Sequence, residues 1–181
     1  NGSSWNTIAA STANTGSYVW NVPNTPSTTC LVKVSDTAGP ATDSSNAVFT
    51  IAEQKTLTLT SPDGGENWEG GFDQTITWNN TGSITDVLLE YSTDSGLSWN
   101  TIAASTANTG SYVWNVPNTP STTCLVKVSD TAGPATDTSS AVFTIAEQRT
   151  LTLTAPNGGE NWEGTFDQTI TWNSTGSITD V

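Results

Sequence analysis

The side chains that could do chemistry in this chain are carboxylates and indoles. Asp63, Glu66, Glu69 and Asp73 crowd one glycine-rich stretch, Asp86 stands in a second, and Asp130 and Asp137 bracket a third. Carboxylates gathered in turns are hard oxygen donors of the kind calcium takes. Where the end of one domain meets the start of the next, Glu53 is expected to approach Asp86, Asp130 and Asp137, making a metal site for Ca2+ at each junction. Calcium is the one cofactor that the composition leaves open. The competing reading is that the acids are solvated and keep a long acidic chain soluble. Trp68, in the glycine-rich stretch, and Trp99, after a turn, are candidates for stacking on a sugar ring. Their alternative is to plug the ends of a domain or the seam between domains.

Other chemistry is excluded by residue type. The chain contains no histidine, so neither a Ser-His-Asp nor a Cys-His nucleophile can be assembled, nor an imidazole zinc site. No glycine-rich phosphate loop precedes a helical pattern. The expectation is a protein that is not an enzyme, with no catalytic residues. The formal net charge of −13 over 181 residues argues against nucleic acid or anionic lipid as a partner, because both select basic patches. No apolar run is long enough to cross a bilayer as a helix.

The elements that must position these residues recur. A shift of 94 residues lays Trp5 on Trp99, Trp20 on Trp114, Cys30 on Cys124, Trp68 on Trp162 and Trp78 on Trp172. Residues 1–87 and 95–181 differ only at positions 1, 3, 44, 46, 55, 61, 63, 71 and 80. A fixed period of this length is a small domain with its own core, repeated in tandem. Strand-like text starts at Thr56 and closes at Ile145. The frame is therefore the later part of a repeat over 1–54, a complete repeat over 55–148, and the beginning of another over 149–181. Leu88–Asp94 is the one stretch of the repeat that occurs only once. Either the chain is a window on a longer polymer, or half-domains complete one another between chains by strand complementation. Both remain open at the level of sequence.

Within the complete repeat, apolar residues alternate with threonine, serine and asparagine. Leu57 and Leu59, Ile76 and Trp78, Val87 with Leu89 and Tyr91, and Tyr112 with Trp114 and Val116 each fall on one face of a strand. Asp94-Ser95-Gly96 is a hairpin signal. Seven short strands are expected, over 56–60, 74–79, 87–91, 98–104, 111–116, 124–129 and 141–146. That pattern is an all-β chain of tandem Ig/fibronectin-III-like antiparallel β-sandwiches of about seven strands each. Cys124 shares a strand face with Val126 and Val128 and reads as a buried small hydrophobe. Lys127 has the opposite parity and faces out. The link from Ile51 to Leu57 lacks the Gly/Ser content of a flexible tether. Successive domains are expected end to end in a stiff rod, each adding roughly 30–40 Å.

The runs Ser61-Pro62-Asp63-Gly64-Gly65-Glu66-Asn67-Trp68-Glu69-Gly70, Thr75-Ile76-Thr77-Trp78 and Glu90-Tyr91-Ser92-Thr93-Asp94-Ser95-Gly96-Leu97-Ser98-Trp99 carry a resemblance. They are similar to the Ig/fibronectin-III-like repeats related to the Kre9/Knh1 family, the Ser-Thr-rich anchored-membrane repeats of large secreted and surface proteins. The resemblance implies a β-sandwich and an extracellular or cell-surface setting, and it brings no catalytic residues. The expected function is a structural repeat of an extracellular surface filament, fibre or giant adhesin. Its partners would be self, meaning neighbouring repeats and laterally packed chains, with polysaccharide as a further partner. The alternative is a carbohydrate-binding accessory module of a secreted enzyme or cell-wall protein.

Overall fold

The computed structural model describes residues 4–181. Among them there is no helix. The chain divides between Gln54 and Lys55 into two compact units, which are taken separately.

The first unit has four short strands: β1 (Ser27–Cys30), β2 (Lys33–Ser35), β3 (Thr42–Ser44) and β4 (Phe49–Ile51). They pair as β1 with β4 and β2 with β3, both antiparallel. Residues 4–26 form no strand.

The second unit begins with β5 (Thr56–Ser61), β6 (Asn67–Glu69), β7 (Asp73–Thr81), β8 (Asp86–Ser92), β9 (Asn100–Ala107) and β10 (Ser111–Asn115). It continues with β11 (Ser121–Asp130), β12 (Thr136–Thr138), β13 (Phe143–Ala146), β14 (Thr150–Ala155) and β15 (Thr171–Thr175). Strands β10, β7 and β5 make one sheet in that order. Strands β6, β13, β11, β8 and β9 make the other, with β12 also on β11. Every pairing is antiparallel except β6 with β13, which is parallel. Two sheets, antiparallel except for the β6–β13 pair, face each other across one core, so the 55–148 repeat is a β-sandwich.

The core follows the alternation. Leu57, Leu59, Ile76, Trp78 and Trp114 come from the three-stranded sheet. Val87, Leu89, Cys124, Val126, Val128 and Phe143 come from the larger one. Register keeps the inward residues opposite one another: Leu59 lies beside Trp78, and Val128 beside Leu89. A slip by one residue would turn each set to water. On the outer face of β5 and β7, threonines meet in cross-strand pairs. Thr56 and Thr81 hydroxyls are 2.8 Å apart, and those of Thr60 and Thr77 are 2.7 Å apart. Cys124 is fully buried, and burial raises its thiol pKa.

Two strands escaped the sequence reading, β6 and β12. Each has three residues, too few for alternation to show. Strand β6 exists because its backbone lies parallel to β13, placing Trp68 beside Ile145. Strand β12 exists because it lies along β11.

Candidate functional site

The carboxylates are committed to backbone and side-chain donors. Glu66 folds back on the turn before it, accepting hydrogen bonds from the N–H groups of Asp63 (2.8 Å) and Gly64 (2.9 Å). Asp63 accepts from the Ser140 N–H at 2.7 Å, and this bond, with one from the Ser140 side chain, lowers its pKa. Asp94 closes the β8–β9 hairpin, accepting from the Ser92 hydroxyl (2.7 Å), the Ser98 N–H (2.9 Å) and the Ser98 hydroxyl (2.5 Å). Those bonds, the Ser98 hydroxyl first, hold its pKa at about 2. Asp73 accepts from the Asn115 amide at 2.9 Å.

Of the predicted calcium ligands, Asp86, Asp130 and Asp137 lie in the second unit and Glu53 in the first. Among the described residues, no three of His, Cys, Asp and Glu are placed to hold a metal. Asp130 turns onto its own loop, accepting from the Ala132 N–H (3.0 Å), and pairs with Lys55 Nζ at 3.4 Å. Asp137 reaches across to the other sheet and accepts the Leu59 N–H at 2.8 Å. Asp86 lies in register with Ala107 at the start of β8. Glu53 belongs to the first unit. Turn acids that serve backbone N–H groups cannot be told from metal ligands by spacing alone.

Asp137 is the stitch between the two sheets at the β5 edge. Replacing Asp137 by alanine leaves the N–H of the buried Leu59 without a partner. The expected cost is about 1–3 kcal/mol, read from a urea transition followed by circular dichroism. No loss of stability would remove Asp137 from this role.

The two indoles proposed for sugar stacking fare differently. Trp68 is a core residue, 8% exposed, edge-on to Trp114 at 6.3 Å and 5.1 Å from Phe143. It has no face left for a sugar, which corrects the stacking role expected of it. The parallel pairing of β6 with β13 draws it in. Trp99 stays half-exposed, and Lys127 Nζ lies 4.3 Å from its ring centroid. Lys127 is simultaneously paired with Glu90 at 2.7 Å, its cross-strand neighbour. The same stacking recurs in the first unit, where Lys33 lies 4.9 Å from the Trp5 ring. A cation over the ring face is attractive, and it occupies the face that a sugar would use.

The most worked-out polar arrangement is the link Glu147-Gln148-Arg149, between the sandwich and β14. Gln148 donates its N–H to Asn118 Oδ1 at 3.0 Å, and Arg149 donates its N–H to Glu69 Oε1 at 2.9 Å. Both acceptors belong to the sandwich. On the other side, Glu147 Oε2 accepts from the Ser177 N–H (2.9 Å) and hydroxyl (2.7 Å). The Ser177 hydroxyl, then its N–H, then the charge of Arg149 lower the Glu147 pKa. The backbone passes so close to Gly176 (φ 78°) that a Cβ there would stand 2.5 Å from the Gln148 carbonyl oxygen. Each link residue is thus held by its neighbours. Part of this arrangement recurs in the first unit, where Gln54 donates its N–H to Asn24 Oδ1 at 2.9 Å.

Sequence reasoning passed over Asn118, Glu69 and Ser177 as junction residues. Recurrence across the repeat, as in the pair Asn24 and Asn118, does not single them out, because all but nine of the compared positions recur.

No family model matches the chain, and no curated protein matches it. The resemblance to Kre9/Knh1-related repeats therefore rests on the local motifs alone. Among solved structures the chain is similar to one described as "Structures of Clostridium thermocellum CbhA fibronectin(III)-like modules". The two are 21% identical with a TM-score of 0.32, and the match covers 67% of this chain and 63% of that one. The chain thus spans less than two thirds of that structure. At such a score the sandwich assignment rests on the sheets and core described above.

Proposed function

We propose that the chain is a non-catalytic structural repeat of an extracellular surface filament, fibre or giant adhesin, built as a stiff rod of end-to-end β-sandwich domains. The observation that carries this reading is the link 147–149. A tether needs no hydrogen bonds of its own, whereas this one is fastened to both of its neighbours and rests on a close approach at Gly176. The near-identity of the repeats adds to it. Identical domains joined by identical links propagate one rise and one rotation, and that makes a rod or helical filament. The alternative of a carbohydrate-binding module loses support, since Trp68 is in the core and Trp99 lies under Lys127.

The test is backbone 15N relaxation across the link. Order parameters for Glu147, Gln148 and Arg149 are expected near those of the strands, about 0.85. Values below about 0.6 would describe a flexible tether and remove the rod.

A further inference from the structure

The 55–148 sandwich blunts its strand edges, with one exception. An edge strand offers unpaired backbone N–H and C=O groups to any chain that can lie beside it, and folded proteins counter this with bulges, charge or brevity. Strands β6 and β12 have three residues each. On β5 the register shifts between Leu59 and Ser61, and Asp137 already takes the Leu59 N–H. On β9 the register with β8 shifts twice. Strand β10 pairs with β7 along its whole length, Ser111 to Asn115, without a shift, and it contains neither charge nor proline. An open cleft, lined from β9 by Thr101 and Ile102 and from β10 by Tyr112 and Val113, leaves its outer side uncovered. Bonded pairs in an antiparallel ladder recur at every second residue. Gly110 accepts the Trp78 N–H and Val116 donates to the Phe72 carbonyl, each at 3.0 Å, so Tyr112 and Trp114 direct their backbone groups at β7. Ser111, Val113 and Asn115 turn theirs outward. The Ser111 carbonyl receives the Thr109 hydroxyl at 2.9 Å and keeps a second lone pair. Val113 is 63% exposed.

We propose that β10 is a lateral docking edge, on which a second copy of the chain pairs its own β10, antiparallel, about a two-fold axis through Val113. That axis sets Val113 opposite Val113 and Ser111 opposite Asn115. The three outward-turned residues of each copy then meet their counterparts, and the two three-stranded sheets run on as one. Charge selects the occupant. The chain carries a net charge of −13, yet no Asp, Glu, Lys or Arg occurs between 95 and 126, the stretch that holds β9 and β10. Two acidic copies that approach by this edge present neutral strands to one another, which removes the like-charge cost of meeting elsewhere. Asp73, the acid in register with Asn115 on β7, already accepts the Asn115 amide at 2.9 Å. The contact is isologous, the same strand serving on both sides. Taken singly it is small, in the weak class below about 1,200 Å². As the lateral contact of a fibre it rests on the proposed tandem array, in which every repeat brings the same edge and the pairings act together.

Disulfide trapping in the 181-residue chain tests the pairing. In a bonded antiparallel pair the Cα atoms stand about 5.5 Å apart, within the roughly 4.4–6.8 Å that a disulfide spans. Val113→Cys is therefore expected to form dimers on mild oxidation, joined 113 to 113 as read by mass in a non-reduced digest. The rate is expected to exceed several-fold that of 58-to-58 linking in Thr58→Cys, an exposed position on β5, at the opposite edge of the same sheet. Adding Ser111→Lys to Val113→Cys places a charge on the edge and is expected to bring the 113-to-113 rate down to that control. Ser111 is exposed, and an unchanged melting temperature checks that the sandwich is intact. Val113→Cys linking no faster than the control, or linking that Ser111→Lys leaves untouched, would overturn the proposal. Either result leaves the rod standing, because the order parameters of the 147–149 link are read without any pairing. A flexible link would remove the rod and leave the 113-to-113 linking in place.

Discussion

Replacing Trp78 by alanine is expected to cost about 3–5 kcal/mol, while the same replacement at Trp172 is expected to stay within about 0.5 kcal/mol in dilute solution. The two residues sit in the same local text, Thr-Ile-Thr-Trp-Asn, and both are in strands. Trp78 is 2% exposed, belongs to the same core as Val87, Leu89 and Val128, and donates its indole N–H to Asn108 Oδ1 at 2.7 Å. Asn108 in turn donates to the Ile84 carbonyl at 3.0 Å. Truncation opens a large cavity and takes a partner from the half-buried Asn108 amide, and a packed interior relaxes only partly around such a loss. At Trp172 the ring lies half in water, so little apolar area is lost and no cavity forms. Urea unfolding followed by far-ultraviolet circular dichroism separates the two without relying on indole fluorescence. Equal costs would mean that the β14–β15 face is covered even at high dilution.

The internal duplication also shows what a strand pattern can and cannot carry. Residues 6–13 and 100–107 are the same eight residues, Asn-Thr-Ile-Ala-Ala-Ser-Thr-Ala. Only the second copy is a strand, β9, and it is one because β8 lies beside it. Likewise Ser-Tyr-Val-Trp-Asn is strand β10 against β7 at 111–115, and has no strand at 17–21. Alternation states which face a strand would bury, and the partner decides whether the strand forms. The apolar faces of the sandwich were legible for that reason, while the three-residue strands β6 and β12, which depend on tertiary neighbours, were not.

Turns behave in the opposite way. Glu160 accepts the N–H groups of Asn157 (2.6 Å) and Gly158 (2.7 Å), just as Glu66 does for Asp63 and Gly64, although no sandwich surrounds it. Asp36 accepts the Ala38 N–H at 3.0 Å, as Asp130 does that of Ala132. Such carboxylates answer donors two or three residues away, so their structure travels with the local sequence. The acids of the candidate site were therefore visible, but their role was not. A carboxylate that satisfies its own turn and one aimed at a cation have the same spacing, and only the positions of the donors separate them.

Because those carboxylates work as charged acceptors, stability is expected to hold level between about pH 5 and 8 and to fall as the pH drops below about 4.5. The sign follows from the direction of the shifts. Asp63, Asp94, Glu147 and Glu160 all have pKa values lowered from ordinary ones of 3.8 for Asp and 4.5 for Glu. The first causes are the Ser140 N–H, the Ser98 hydroxyl, the Ser177 hydroxyl and the Asn157 N–H, respectively. A lowered folded-state pKa means that the unfolded chain takes up protons first, so the contribution is complete above the unfolded value and is lost as pH falls through the folded one. Asp94 sets the lower end of the window, at about 2. Relief of self-repulsion acts against this loss, since 17 acids outnumber 4 basic residues and protonation discharges them. That relief is spread over the surface and screened by salt, whereas each cap is a bond within one turn, so the loss is expected to dominate at physiological ionic strength. With no histidine in the chain, no side chain has its ordinary pKa between pH 5 and 8 to tilt the plateau. Melting temperature recorded from pH 2 to 8 checks the window, and Ser98→Ala, which removes the first cause acting on Asp94, is expected to flatten its lowest part. A melting temperature that stays level down to pH 2 would show that the capped turns contribute nothing as charged groups.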